Sequence, residues 1–177
     1  FCPQENLLRS YFSRTDKRED MMSIDTFSRC IEKVPSEYAL GFSSFVEPFL
    51  NPNCMEMIKI ARDMGKKIRL YTTLVGTDRK ILDQLCEMSF DLFVLHVADQ
   101  YGYANIPLTE EYYKSVEQII NAKRKDGTPL VDVCNAQTEP DPRIVEICRG
   151  KIEIATTMCD RAGQLGDGEL YRHLPPS

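Results

Sequence analysis

Polar residues stand directly after several short apolar runs, which is where an α/β protein positions its chemistry. The runs cover 38–42, 67–74, 91–97, 129–135 and 151–157, and each is typical of a buried strand. In a parallel sheet, the loops after the carboxyl ends of the strands form the binding site. The candidate site residues at or after these ends are Glu47, Thr72, Thr73, His96, Asp99, Asn135 and Gln137.

Each of these residues also has a purely structural interpretation. Glu47 can be a solvated loop acid or a cap for the next helix. Thr72 and Thr73 are β-branched residues that suit a strand. A histidine that ends an apolar strand, as His96 does, is commonly a satisfied structural residue. The residues alone therefore leave both interpretations open.

Seven cysteines are scattered along the chain with no Cys-x-x-Cys pair: Cys2, Cys30, Cys54, Cys86, Cys134, Cys148 and Cys159. An odd number without regular spacing matches neither a secreted disulfide framework nor a complete zinc site. Cys30, Cys54, Cys86 and Cys148 fall on apolar helix faces, where we expect them to be part of the core. The pattern favours a reducing, cytoplasmic environment.

Helical patterns separate the apolar runs. Ser23 and Thr109 are typical N-caps, and Asp141-Pro142 is a typical helix start. Between Asn6 and Met22 we expect a basic and acidic connector, followed by a helix and then five strands separated by four helices. This alternation predicts an α/β fold with a parallel sheet and right-handed crossovers. The strand runs are apolar at most positions, so we expect both faces of the sheet to be covered.

Composition excludes several classes of function. The 177 residues carry a net charge of −5, which argues against nucleic acid or an anionic membrane as the main partner. No apolar run approaches the roughly 20 residues that span a bilayer, and no signal peptide opens the chain. There is no Walker loop and no Gly-x-Gly-x-x-Gly after a strand, so nucleoside triphosphates and dinucleotides are not expected.

Three stretches, in this order, carry a family resemblance. Phe1-Cys2-Pro3 is similar to the end of a Cys-x3-Cys-x2-Cys loop. Glu47-Pro48 resembles a Gly-Gly-Glu-Pro loop in which Phe45 and Val46 replace the glycines. Residues 68–76 (IRLYTTLVG) are similar to the strand and turn that follow, with Thr73 in place of the common Asn. The combination resembles the radical S-adenosylmethionine (radical SAM) superfamily.

The resemblance implies a partial (β/α)6 barrel whose first strand and first two cluster cysteines precede residue 1. Residues 1–162 would form the radical SAM core, and 163–177 a linker. The stretch 158–164 (MCDRAGQ) is similar to the junction with a C-terminal SPASM domain. By the same resemblance, Cys2 would be a metal ligand, and these residues would contact the cofactor: Phe1, Glu47, Thr72, Thr73, His96, Asp99, Asn135 and Gln137.

In the family, a [4Fe–4S] cluster held by three thiolates binds S-adenosylmethionine and cleaves it reductively to a 5′-deoxyadenosyl radical. A flavodoxin- or ferredoxin-like protein would donate the electron. The chain itself has only Cys2 of the three ligands. We therefore expect it to bind no cluster and to be inactive alone, with its amino terminus displaced. The substrate is not readable from the sequence.

Two other classes of function stay open. A different α/β-barrel enzyme, of the aldolase or metal hydrolase type, could use Glu47, His96 and Asp99. A non-catalytic α/β module that binds a partner is the other alternative. If the first barrel strand is missing, the apolar strand 38–43 becomes an unprotected edge. Unpaired strand edges are templates for association, so we expect the chain to self-associate.

Overall fold

A computed structural model describes residues 4–15, 21–43 and 46–156 of the chain. Helices and strands alternate along these ranges. The helices are α1 (Gln4–Phe12), α2 (Ile24–Ile31), α3 (Cys54–Asp63), α4 (Arg79–Cys86), α5 (Glu110–Asn121) and α6 (Pro142–Cys148), with a 3-10 helix at Pro48–Leu50. The strands are β1 (Ala39–Phe42), β2 (Lys67–Thr72), β3 (Leu92–His96), β4 (Val133–Ala136) and β5 (Ile154–Thr156).

The five strands form one sheet in the order β1-β2-β3-β4-β5, and every neighbouring pair is parallel. This confirms the predicted α/β class and the predicted parallel sheet. Within the described ranges, β1 and β5 are the two edges, so the sheet does not close on itself. With strands in sequential order, right-handed crossovers bring the helices between the strands, α3 to α6, to the same face.

The burial pattern agrees with a sheet covered on one face. The core contains alternate strand residues, including Ile68, Leu70, Phe93, Leu95 and Cys134, together with the apolar sides of the helices. Three pairs of consecutive helices touch: α2 touches α3, and α5 touches both α4 and α6. The intervening strand residues form what we call the open face, defined by Gly41, Arg69, Tyr71, Val94, His96, Val133, Asn135 and Ala155.

Among the described residues, the expectation that both faces are covered is met only in part: Val94 of the open face is 6% exposed, but other residues of this face are not buried. On the open face, Arg69 is exposed, while Tyr71, His96 and Asn135 are half-buried. Val133 remains 40% exposed although it is apolar. The physical reason lies in the strand order, because a sheet needs a reversal of order to place helices on both faces. The order of the strands in the sheet cannot be predicted from short strands that are apolar at most positions.

Two local expectations also need correction. Residues 4–12 form α1 and not a connector; Leu8, Tyr11 and Phe12 have the helical spacing that indicates it. The fourth strand begins at Val133 instead of residue 129. Pro129 forms an isolated antiparallel bridge with Lys123, and the Leu130 amide bonds the carbonyl of Ala122. These two contacts hold residues 129–131 against the end of α5 and prevent them from joining the parallel sheet.

The cysteines on helices are not all core residues. Cys54 and Cys148 are buried and Cys86 is half-buried, as expected for core positions. Cys30 is exposed, so that prediction is wrong: the buried side of α2 is formed by Ile31. Phe27 packs against Phe42 of β1, with ring centroids 5.8 Å apart and planes inclined by 47°. Among the described residues, no helix combines the length and the apolar character that crossing a bilayer needs.

Candidate functional site at the carboxyl edge of the sheet

Glu47 connects the loop after β1 to the end of β2. Its Oε2 accepts hydrogen bonds from the Thr73 amide at 2.6 Å and the Thr73 hydroxyl at 2.7 Å. Its Oε1 accepts from the Thr72 hydroxyl at 2.7 Å and from the Phe49 amide at 3.2 Å. A carboxylate offers about four lone-pair sites, so these four donors occupy its normal capacity. We call Glu47, Thr72 and Thr73 the carboxylate clamp.

Local sequence explains why the clamp forms. Glu47 is the N-cap of the 3-10 helix, and Pro48 follows at its first position, where a missing N–H costs nothing. The Thr72 hydroxyl accepts the Leu74 amide at 2.9 Å, which starts the turn after β2. Leu74 has a positive φ of 65°, and Thr77 closes the turn by bonding the Leu74 carbonyl through its amide and its hydroxyl. The turn therefore presents both threonines to Glu47.

Gly76 lets this turn lie against the 3-10 helix. Its φ is +84°, a conformation that side chains with a Cβ rarely adopt. A Cβ at this position would come within 2.8 Å of the Phe49 carbonyl oxygen. The absence of a side chain thus lets the turn after β2 pack directly on the backbone that Glu47 caps.

Cys54 is the buried first residue of α3 and lies close enough to Glu47 for their charges to interact. Burial, reinforced by the Glu47 charge, raises the pKa of its thiol to about 12. The thiol is therefore protonated at neutral pH. A protonated buried thiol serves as a small core residue, and neither as a nucleophile nor as a metal ligand.

Asp99 follows β3 and is fully buried, with 1% of its surface exposed. Its Oδ1 accepts the amides of Tyr101 and Tyr103 at 3.0 and 3.1 Å, and its Oδ2 accepts the amide of Ala104 at 2.9 Å. All three donors belong to its own loop. The geometry makes Asp99 the anchor of the loop 99–104, with its carboxylate turned toward the backbone.

The strand register aligns the remaining candidates in one row. Thr72 pairs with Leu95, so Thr73 and His96 follow at the same level, and His96 pairs with Asn135. Tyr71 of the open face lies beside His96, with ring centroids 6.5 Å apart and planes inclined by 23°. The Asn135 Oδ1 is buried and has no hydrogen-bond partner in the described part of the chain. An unpaired buried acceptor is rare enough to call for an explanation.

The structure thus brings some of the candidate residues together and separates others. The carboxylate clamp and the row Thr73–His96–Asn135 meet at Thr73. Asp99 belongs to its own loop, and Gln137 is half-buried in the loop after β4. Phe1 and Cys2 lie outside the described residues. Sequence reasoning missed Tyr71, although its position two residues before Thr73 could have identified it. It also missed Thr138, a 4% exposed residue whose hydroxyl has no partner among the described residues.

No comparison with known proteins adds an identity to this geometry. No family model matches the chain, and neither any curated protein nor any solved structure does. The site must therefore be interpreted from its own residues.

Proposed function

We propose that this chain is part of the core of a radical SAM enzyme and that the carboxyl edge of its sheet receives S-adenosylmethionine. The observation that carries the proposal is the contact of Glu47 with Thr72 and Thr73 across two neighbouring strand ends. Glu47 belongs to the second of the three stretches that resemble the family, and Thr72 and Thr73 belong to the third. Glu47 and Thr72 are 25 residues apart in the sequence, and the two stretches share one carboxylate in the fold.

The sheet topology supports the same proposal. A partial (β/α)6 barrel needs parallel strands in sequential order with helices on the outside. The order β1-β2-β3-β4-β5 and the one-sided core have these properties. In this proposal the open face is the barrel interior, and the missing first strand would pair with β1. Fold alone does not give function, so the argument depends on the clamp.

Glu47 would hold the amino group of the methionine part of the cofactor, after a local change. Its lone pairs are occupied by four donors, so an ammonium group must displace one of them. The Thr72 hydroxyl is 1% exposed and holds the Leu74 amide as well. The Thr73 hydroxyl accepts the Val75 amide at 3.4 Å, a longer bond than that of Thr72, and Thr73 is half-buried. Its hydroxyl is therefore the donor that can turn away and free one lone pair of Oε2. Asn135, with its unpaired Oδ1, would accept a hydroxyl or amino donor of the adenosine part.

The residues of this chain do not fit the iron–sulfur cluster by themselves. Three thiolates are needed, and Cys2 is the one cysteine that the resemblance assigns to the loop. Among the described residues, no group of three His, Cys, Asp or Glu side chains is arranged to hold a metal ion. The proposal therefore requires two further cysteines and an electron donor of the flavodoxin or ferredoxin type, both supplied from outside this chain.

The coding sequence upstream of Phe1 gives the most direct test. We expect a Cys-x3-Cys pair whose second cysteine is separated from Cys2 by two residues, the second of which is Phe1, and an apolar strand before the pair. The extended protein, supplied with iron, sulfide and a reductant, should release 5′-deoxyadenosine from S-adenosylmethionine, and Cys2→Ala should abolish this release. An upstream sequence without the two cysteines would refute the proposal.

A second experiment examines Glu47 in the extended protein. We expect Glu47→Gln to weaken the binding of S-adenosylmethionine by roughly tenfold in calorimetry, because one charge-assisted contact is lost. Glu56→Gln, an exposed glutamate of α3, is the matched control and should bind like the parent. Urea unfolding of both variants separates lost binding from lost folding. If a folded Glu47→Gln protein binds S-adenosylmethionine as tightly as the parent does, Glu47 does not contact this ligand.

The alternative of a metal hydrolase has less support. It would use Glu47, His96 and Asp99 together, but the Asp99 carboxylate is directed to three amides of its own loop. The Glu47 carboxylate is likewise committed to the clamp. A non-catalytic binding module would use the same Asn135 acceptor toward its partner, and release of 5′-deoxyadenosine by the extended protein is the result that separates the two functions.

A further inference from the structure

The open face changes in character from the carboxyl edge of the sheet toward its amino edge. Strand register places Tyr71, Val94 and Val133 in one row, which we call the middle row, directly below the row of His96 and Asn135. Apart from the Tyr71 hydroxyl, the side chains of the middle row are apolar. A ligand that continues from the carboxyl edge into the open face therefore lies on one aromatic ring and two valine side chains.

Below the middle row, β2 carries two cations on the open face. Arg69 lies two residues before Tyr71, and Lys67 lies two residues before Arg69, so all three share one face of the sheet. The Arg69 Nε donates to Asp91 Oδ2 at 2.9 Å, and the Arg69 side chain is 50% exposed. Within the described ranges, the Arg69 Nη groups and the Lys67 ammonium donate to no other residue. Two cations thus accompany one carboxylate, and this end of the face has a net positive charge.

Gly41 leaves space beside these cations. It pairs in register with Arg69, and an added Cβ at Gly41 would meet no atom of the described residues within 4 Å. Glu153 just precedes β5, which lies three strands from β2, a separation of roughly 14 Å at the usual strand spacing. An anionic group beside Arg69 therefore has room on the β1 side and is distant from the Glu153 carboxylate.

We propose that the open face binds the substrate of the proposed reaction and that this substrate has an apolar body ending in a carboxylate. This rests on the proposed function, because it takes the open face as the surface next to the cofactor. The carboxylate pairs with the Arg69 Nη groups, whose planar fork fits two carboxylate oxygens. The apolar body packs on the middle row, with its far end toward the carboxyl edge. The reacting part of the substrate is therefore the end remote from its carboxylate.

The sheet also sets a minimum length for this substrate. Arg69 and Thr73 are four residues apart on β2 and the position after it, which is roughly 13 Å along a strand. A molecule that pairs with Arg69 and reaches the carboxyl edge must extend over much of this distance. Short acids such as acetate or lactate are therefore excluded as substrates.

Titrations with two matched probes test the substrate class on the chain itself. 4-Phenylbutyrate has an aromatic body and a carboxylate, while 4-phenylbutan-1-ol has the same body and a neutral end. Nuclear magnetic resonance follows the methyl signals of Val94 and Val133 during each titration. We expect both probes to shift these signals, and the carboxylate to bind roughly tenfold more tightly than the alcohol, because it alone makes a charge-assisted contact with Arg69.

Two arginine variants locate the contact. Arg69→Gln should bind both probes with equal affinity. Arg62→Gln is the matched control, because Arg62 of α3 also bonds a neighbouring carboxylate, that of Asp63, and it should keep the preference of the parent. The dispersion of the amide signals shows whether each variant is folded. The substrate class is wrong if neither probe shifts the valine signals, or if Arg69→Gln still prefers the carboxylate.

The outcome is separable from that of the cofactor test. A carboxylate preference that depends on Arg69, combined with an upstream sequence that lacks the two cysteines, would support the anion-binding face and refute the radical reaction. Release of 5′-deoxyadenosine by the extended protein, combined with equal binding of the two probes, would support the proposed function and refute the substrate class.

Discussion

Glu47 and Asp99 are two carboxylates that follow strands at the same edge of the sheet, yet they organise different parts of the molecule. Asp99 bonds three amides within five residues of itself and stabilises its own loop. Glu47 bonds Thr72 and Thr73, more than twenty residues away, and joins two strand ends. One carboxylate fixes local structure, and the other fixes tertiary structure. A site that must respond to a ligand is more readily built on the second kind.

The position of the strands adds to the contrast. Asp99 follows β3, which is paired on both sides, whereas Glu47 follows β1, which has β2 as its one partner within the described ranges. Asp99 is fully buried, while Glu47 is half-buried. Water can therefore replace lost hydrogen bonds at Glu47 more easily than at Asp99. Substitution of Asp99 should therefore lower the free energy of unfolding more than substitution of Glu47 does.

The largest effect is expected for Asp99→Ala. Three amides lose a charged acceptor in a site that water scarcely reaches, so we expect the free energy of unfolding to fall by about 3 to 4 kcal/mol. Urea denaturation followed by circular dichroism measures it. Asp25→Ala, which removes an exposed helix carboxylate, is the control and should cost less than about 0.5 kcal/mol. A cost as small as that of the control would show that the loop does not need its anchor.

Gly76→Ala should have the next largest effect, because it separates the two elements that Glu47 connects. The added Cβ would approach the Phe49 carbonyl oxygen to 2.8 Å on a backbone with positive φ. We expect a loss of about 2 to 3 kcal/mol in unfolding free energy. Gly65 also has a positive φ, but an added Cβ there meets open space. Gly65→Ala therefore measures the loss of unfolding free energy that the positive φ alone causes. Equal losses for both variants would contradict a close contact at Gly76.

Glu47→Ala is expected to cost less, about 1 to 2 kcal/mol, because water can reach part of the clamp. A double-mutant cycle with Thr73→Val should give a coupling of about 0.5 to 2 kcal/mol, since the two side chains share hydrogen bonds. The same cycle between Glu47 and Thr109, the N-cap of α5, should give a coupling near zero. A coupling near zero in the Thr73 cycle would mean that the clamp contributes no stability.

The smallest effect on stability is expected at Gly41, in the edge strand that leads to Glu47. Gly41 is exposed, and an added Cβ would meet no atom of the described residues within 4 Å. Gly41→Lys should change the unfolding free energy by less than about 0.5 kcal/mol. The parent chain should nevertheless sediment as a dimer or larger species, through pairing of β1 edges, and the lysine should favour the monomer. A monomeric parent chain would refute self-association.

Much of the fold could be predicted from the sequence, since apolar runs and caps report local structure. The runs 67–74 and 91–97 contain β2 and β3, and Ser23 and Thr109 are N-caps that bond the amides of Thr26 and Tyr112. Apolar strands that alternate with helices along the chain then favour a parallel sheet. The site was predictable in part, because strand ends in such a sheet converge on one edge whatever the side chains are.

Only the tertiary structure decided what those side chains do. Glu47 and Asp99 are both acids that follow strands, and nothing in their neighbouring residues distinguishes a carboxylate that bonds its own loop from one that reaches the next strand. Strand order likewise decided that Glu47 reaches Thr72 and Thr73, because β1 and β2 are neighbours in the sheet. Local pattern sets which element forms, because it depends on neighbouring residues. Contacts between distant residues depend on register and crossover, which the local pattern does not encode.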